Sequence, residues 1–438
     1  MKAKRIISLI LALCLTLGAL FSLSSCLSAA RFFLGVDGEQ SGEPNAPGVP
    51  EDEGGETDET QGETEQQPSS SGDPEYLPDW EQNAENADAL TSSNRALLSS
   101  VIIFSHFNVS YGGYSQISPD SAAGSGVIYD LDRAAGNAYI ITNYHVVYNK
   151  NSITDDGISD DIRVYLYGQE LEAYAIPATY VGGSMNYDIA VLKIEDSEVL
   201  KKSCAVEAKL GDSDKVNVRD EVFAVGNPEA YGFAVTEGTV SVDSETLTMV
   251  GADGQTTISL RVMRVSAGIN NGNSGGGLYN VSGELIGIVN AKRTGDDIDN
   301  IGYAIPINLA KNLADNIIYH CDGVLKTSVY RCVLGVTLTA EITGVVIDPE
   351  TQTVTKAEIV EVSKVESTCI IKDKIALGDY INSVTVDGVK REVTRIHHVI
   401  DHMLTARVGS TVVLNVTRGD YTFDITVIIS ESALTKVE

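Results

Sequence analysis

Apolar residues in the middle of the chain come in short, β-branched runs, each closed by a glycine-containing turn. Val101 to Phe104, Gly126 to Tyr129, Ala138 to Ile141, Ile189 to Ile194 and Glu221 to Val225 are of this kind. Short runs between turn signals, with no helical spacing among them, predict an all-β barrel or sandwich from about Ala96 to Pro306. At Ile307 the period changes. Leu309, Leu313 and Ile317 recur at helical spacing and predict a connecting helix as far as His320. From Thr327 to Ile429 strand patterns surround one helical stretch, Val393 to Leu404, and mark a second, smaller domain.

Composition alters this picture mainly at the N-terminus. The chain of 438 residues carries a formal net charge of −30. Between Arg31 and Arg95 there is no Lys or Arg, whereas Asp and Glu occur 17 times from Asp37 to Asp88. Gly35 to about Glu85 is Gly, Pro, Glu, Ser, Thr and Gln with few large apolar side chains, too few to offset chain entropy. A disordered, self-repelling tether is expected over 27–90. The absence of a basic stripe argues against nucleic acid as a main partner.

Ahead of the tether, Lys2, Lys4 and Arg5 precede an apolar run from Ile6 to Phe21, the form of an export signal. It ends in Leu23-Ser24-Ser25-Cys26, which looks like a bacterial lipoprotein cleavage box, with Cys26 as the lipidated first residue of the mature chain. A plain signal peptide or an uncleaved anchor are the alternatives, and all three export the protein. Cys204, Cys321, Cys332 and Cys369 have no CxxC spacing and no His at metal-ligand spacing, so no metal or other cofactor is expected. They could form disulfides in an exported protein or remain buried thiols.

Chemistry concentrates in two strings and one aspartate. In Gly272-Asn273-Ser274-Gly275-Gly276 a serine stands among glycines, which leave it uncovered. They also let the N–H groups of Gly272 and Ser274 converge as an oxyanion hole. The same string matches G-x-S-x-G, but the strand pattern that follows it does not fit an α/β-hydrolase elbow. Thr142-Asn143-Tyr144-His145-Val146-Val147 supplies a histidine, the usual general base near neutral pH. Asp188 heads the apolar strand Ile189 to Ile194 and can hold an imidazole tautomer. The order His145, Asp188, Ser274 is that of the chymotrypsin arrangement.

These strings, with Gly124-Ser125-Gly126-Val127-Ile128, Leu210-Gly211-Asp212-Ser213, Gly226-Asn227-Pro228 and Ile301-Gly302-Tyr303-Ala304-Ile305-Pro306, run in register through the β region. As a set they resemble the HtrA (Deg) family of serine proteases. The resemblance implies a chymotrypsin-type double β-barrel over 91–322, followed by a PDZ domain over 323–438. It further implies a homotrimer, misfolded or exported proteins as substrates, and C-terminal peptides at the PDZ domain. Tyr330, Arg331, Val333, Leu334 and Gly335 fall where such proteases carry the carboxylate-binding loop and first strand. His397, His398 and His402 on the following helix read as groove or surface positions rather than metal ligands.

The chain departs from the family before the serine. Ser266 replaces the family's acid, and Gly268 stands where trypsin-like enzymes carry aspartate, so cleavage after Lys or Arg is not expected. Ile269 suggests a pocket for small or medium apolar side chains, with Asn290 also placed at the substrate. Asp296, Asp297 and Asp299 are expected to face solvent. The rival to a protease is a catalytically silent chaperone or peptide-binding surface protein.

Overall fold

The computed structural model describes residues 91–110, 117–290, 301–321, 326–347, 349 and 354–437. The expectations for 1–26, for Cys26, for the tether and for Asp296, Asp297 and Asp299 lie outside these residues. After the helix α1 (Ser92–Leu98), capped by the Thr91 side chain, the chain enters two six-stranded β units.

The first unit comprises β1 (Ser100–Ser110), β2 (Ile117–Asp132), β3 (Asn137–Thr142), β4 (Asp161–Leu166), β5 (Ile176–Ser184) and β6 (Ile189–Ile194). The sheet order β5-β4-β1-β2-β3-β6 closes on itself through β5–β6 pairing. Val101, Ile103, Ile128, Ile140, Val164 and Leu192 fill its interior. They belong to the short β-branched runs of the sequence, which are buried almost continuously in β1, β3 and β6.

The second unit is a closed barrel of β7 (Glu221–Gly226), β8 (Ala234–Val250), β9 (Thr257–Val265), β10 (Gly277–Asn280), β11 (Leu285–Asn290) and β12 (Gly302–Pro306). Met263, Val265, Leu278, Ile286 and Val289 are among its core residues. Within the β region the described helices are single turns, α2 (Tyr144–Val147) and α3 (Glu198–Lys201).

The connecting helix α4 (Ile307–Cys321) buries Leu309, Leu313 and Ile317. Burial of side chains of this size is worth about 1.5–3 kcal/mol each. Its Asn316 is fully buried. The Asn316 amide donates to the carbonyls of Tyr330 and Leu404, both at 2.8 Å, and its oxygen accepts the Tyr330 N–H at 2.8 Å. Asn312 donates to the Asp401 carbonyl at 2.9 Å.

The C-terminal domain has a sheet of β14 (Val336–Ile347), β15 (Val354–Val365), β16 (Tyr380–Val386), β18 (Thr411–Arg418) and β19 (Tyr421–Ile428) in that order, with β17 (Val389–Glu392) beside β16. One helix, α5 (Ile396–Met403), packs on it. The helix starts later than expected because Arg395 is extended, and the Glu358 carboxylate accepts the Ile396 N–H at 2.8 Å. The flanking strands β13 (Thr327–Cys332) and β20 (Leu434–Val437) pair with each other. β13 also meets β5 of the first unit at Gly182 and Gly183. Cys321, Cys332 and Cys369 are free thiols, and burial pushes the Cys332 thiol up to about 11.

Candidate active site

His145 sits on the single helical turn α2, whose first residue follows the extended Asn143 at the end of β3. Asp188 occupies the last position of the tight turn between β5 and β6, with φ +49. Its N–H closes that turn on the Met185 carbonyl. Left-handed backbone is tolerated by aspartate far better than by bulky residues, so the turn itself favours an Asp here.

The two side chains meet directly. His145 Nδ1 is 2.8 Å from Asp188 Oδ2, and the His145 backbone N–H donates to Asp188 Oδ1 at 3.1 Å. The Asn290 amide donates to Asp188 Oδ2 at 2.8 Å, while Asn143 donates to the Asp188 carbonyl at 2.9 Å. Asp188 is 4% exposed. A buried carboxylate this well supplied with donors fixes the imidazole tautomer, leaving Nε2 as the acceptor.

Ser274, in the loop before β10, is tied through its backbone to the first β unit. The Ser125 N–H on β2 donates to the Ser274 carbonyl at 2.8 Å, and Thr142 Oγ1 donates to the Ser125 carbonyl at 2.7 Å. Gly275, at φ +84, presses so close that a Cβ would stand 2.2 Å from both the Ser125 carbonyl and Thr142 Oγ1. Only glycine fits there. Gly272 is equally constrained: at φ +92, a Cβ would stand 2.0 Å from the Asn227 carbonyl.

Ser125 was quoted in the sequence only as part of a glycine string, yet it locks the serine loop. Its hydroxyl donates to the Gly272 carbonyl at 2.8 Å and accepts the Asn227 N–H at 2.9 Å. A second tie runs from the Glu229 N–H to the Asn271 carbonyl at 2.8 Å. Together these hold the backbone on either side of Gly272.

Other expected site residues fall differently. Asn290 is buried and turned to Asp188, so it supports the acid instead of lining an open pocket. Ile269 packs in the core of the second barrel, 8% exposed, because Gly302 leaves room for its side chain. Gly268 is exposed, and the nearest atoms to a Cβ there would be the Thr236 side chain at 3.8 Å and beyond. Ser266 pairs with Thr239, accepting its N–H at 2.9 Å.

In the C-terminal domain the Tyr330 N–H is taken by Asn316 and the Val333 N–H by the Ala433 carbonyl at 2.8 Å. Tyr330 and Arg331 belong to β13. Leu334 and Gly335 remain in the turn before β14, Gly335 at φ +81 against Cys369.

A model of the trypsin-like peptidase domain matches residues 124–288, which contain His145, Asp188 and Ser274. The Do-like serine protease HtrA of Bacillus subtilis is 37% identical over 201 residues, 45% of this chain and 40% of that protein. The periplasmic serine endoprotease DegP of Escherichia coli is 36% identical over 199 residues, 45% of this chain and 36% of that one. Over this region the chain is similar to the HtrA serine proteases. It spans less than half the length of these two relatives. Among solved structures, the HtrA-type protease AlgW with a tripeptide has 26% identity and a TM-score of 0.49, covering 79% of this chain and 97% of that one.

Proposed function

We propose that this chain is a serine endopeptidase in which Ser274 is the nucleophile, His145 the general base and Asp188 the orienting acid. The observation that carries the reading is the 2.8 Å contact of His145 Nδ1 with a buried Asp188 that also accepts from Asn290. Asp188 keeps the proton on Nδ1, so His145 Nε2 takes the Ser274 proton as Oγ bonds to the scissile carbonyl carbon. The developing oxyanion is held by the N–H groups of Gly272 and Ser274, whose loop Ser125 immobilises. His145 then protonates the departing amine, and water releases the acyl group.

Substrates on this reading are misfolded or exported proteins, with small or medium apolar side chains before the cleaved bond, since Gly268 brings no carboxylate to the pocket. The C-terminal domain is read as a PDZ domain that adds a C-terminal peptide along β14 beside α5, with Leu334 and Gly335 as the carboxylate turn. The leading segment is read as a lipoprotein signal with Cys26 as the lipid-bearing residue, followed by a tether that holds a homotrimer outside the cytoplasmic membrane. The periplasmic address of the Escherichia coli relative supports an extracytoplasmic location.

Incubation of the purified chain with unfolded casein, beside Ser274→Ala, tests the central assignment. The wild-type chain is expected to cleave casein and the variant to leave it intact. Equal cleavage by both, or by neither, would refute the protease reading.

A further inference from the structure

The face of the second barrel opposite α5 is charged, and so is the domain seated on it. Arg261 on β9 pairs with Asp401 on α5, and Arg391 on β17 pairs with Asp214 in the turn before β7. Arg395 reaches Asp243 on β8 at 2.9 Å and Glu358 on β15 at 3.1 Å. Counting Arg261, Arg391 and Arg395 against Asp214, Asp243, Glu358 and Asp401 leaves one excess negative charge at this seam while its imidazoles are neutral.

Two imidazoles enter the same seam. His397 Nε2 lies 3.9 Å and His398 Nε2 4.0 Å from Asp214 Oδ1, too far for hydrogen bonds. Among the described residues these three form a group whose ligand atoms all lie within 4.8 Å of one another. All three side chains are largely buried, at 12%, 11% and 16% exposure. Asp214 Oδ2 is already engaged by Arg391 and by the Asn308 amide at 2.9 Å, which turns Oδ1 toward the two rings. The Thr394 N–H donates to His398 Nδ1 at 3.3 Å, a long contact that gives way when Nε2 takes a metal and the ring proton sits on Nδ1, where the Glu392 carbonyl can accept it.

We infer that Asp214, His397 and His398 form a zinc site that clamps the C-terminal domain onto the second barrel. Two neutral imidazoles and one carboxylate are a usual zinc donor set, with water as the fourth ligand. Bonds of about 2.0–2.1 Å place tetrahedral donors about 3.4 Å apart, so the distance from each ring to Asp214 Oδ1 has to close by about half an ångström, the two rings drawing together as well. The Arg391 and Asn308 contacts on the second carboxylate oxygen are the outer support that such ligands require. A divalent ion converts the seam's one excess negative charge into one positive charge, a modest change for a partly solvated site. The site is remote from the triad in the sequence and contributes nothing to the chemistry proposed there. It ties a loop of the barrel to the helix that borders the β14 edge.

The test uses the full chain with zinc, and with cobalt as its spectroscopic stand-in. One equivalent of cobalt is expected to give the visible absorption of a four-coordinate site, displaced by zinc. The bands should be lost in His397→Ala/His398→Ala and weakened in Asp214→Asn. X-ray absorption of the zinc-loaded chain is expected to show two imidazoles among light-atom ligands at about 2.0–2.1 Å. Because the double variant risks unseating the helix, His398→Gln serves as the milder change, and cobalt affinity is expected to fall at least tenfold in it. An undiminished cobalt site in the double variant would overturn the inference, as would zinc bound through sulfur or a single imidazole.

Discussion

At the junction of the two β units His145 Nδ1 stands 2.8 Å from Asp188 Oδ2; at the seam with the C-terminal domain His397 and His398 stand 3.9 and 4.0 Å from Asp214 Oδ1. In both places histidine on a short helix faces aspartate from a turn that lies far away in sequence. The surroundings separate them. Asp188 is ringed by neutral donors, a backbone N–H and the Asn290 amide, so its charge is free to act on one imidazole. Asp214 is answered by a guanidinium, and its second oxygen faces two rings without bonding either. A carboxylate saturated by hydrogen bonds orients a base, whereas one held partly open between two neutral imidazoles is a ligand set.

The difference can be broken at either end, and the largest effect belongs to the junction. Ser274→Ala should lower kcat on a protein substrate by a factor on the order of 10⁶, and adding His145→Ala should lower it little further, because the two act as a unit. Asp188→Asn should cost on the order of 10⁴ in kcat by favouring the wrong imidazole tautomer while leaving the fold intact. Kinetics on a fluorogenic peptide measure both.

At the seam, Arg261→Ala leaves Asp401 buried without its partner. Such losses cost about 3–5 kcal/mol, so denaturant unfolding of the C-terminal domain should shift to lower concentration. Peptide hydrolysis by the triad should stay near wild-type. The smallest effect is expected from Ser125→Ala. It frees the Gly272 carbonyl and strands the Asn227 N–H, a loss of about 1–3 kcal/mol at a buried site. The change should appear as a drop of roughly 10–100-fold in kcat with little change in KM, because it loosens oxyanion donors rather than the substrate pocket.

Much of the junction is legible in the sequence. The strands around Ile103, Ile140 and Leu192 follow from short β-branched runs, and α4 from the spacing of Leu309, Leu313 and Ile317. The three triad candidates stand out because each local string has its own chemistry and their order is diagnostic. The supporting residues are less visible. Ser125 and Asn290 lie in ordinary strand contexts, and only the approach of the two β units turns them toward Gly272 and Asp188. Around Tyr330 nothing local reveals that buried Asn316 claims both its N–H and its carbonyl.

The seam is the least legible part of the chain. Asp214 lies in an unremarkable Asp-Ser-Asp-Lys turn, and the adjacent histidines carry no metal-ligand spacing. Their meeting depends on how the C-terminal domain seats on the barrel through Asn312, Asn316 and the arginine pairs. Contacts between domains leave no periodic trace in either partner.

On the proposed function, His145, held by Asp188, activates Ser274. A serine-reactive phosphonate, followed by peptide mass spectrometry of the wild-type chain, tests it directly. One adduct per chain is expected, on Ser274, formed far more slowly in Asp188→Asn and absent from Ser274→Ala. Absence of any adduct on the wild-type chain, or an adduct that persists in Ser274→Ala, would contradict it.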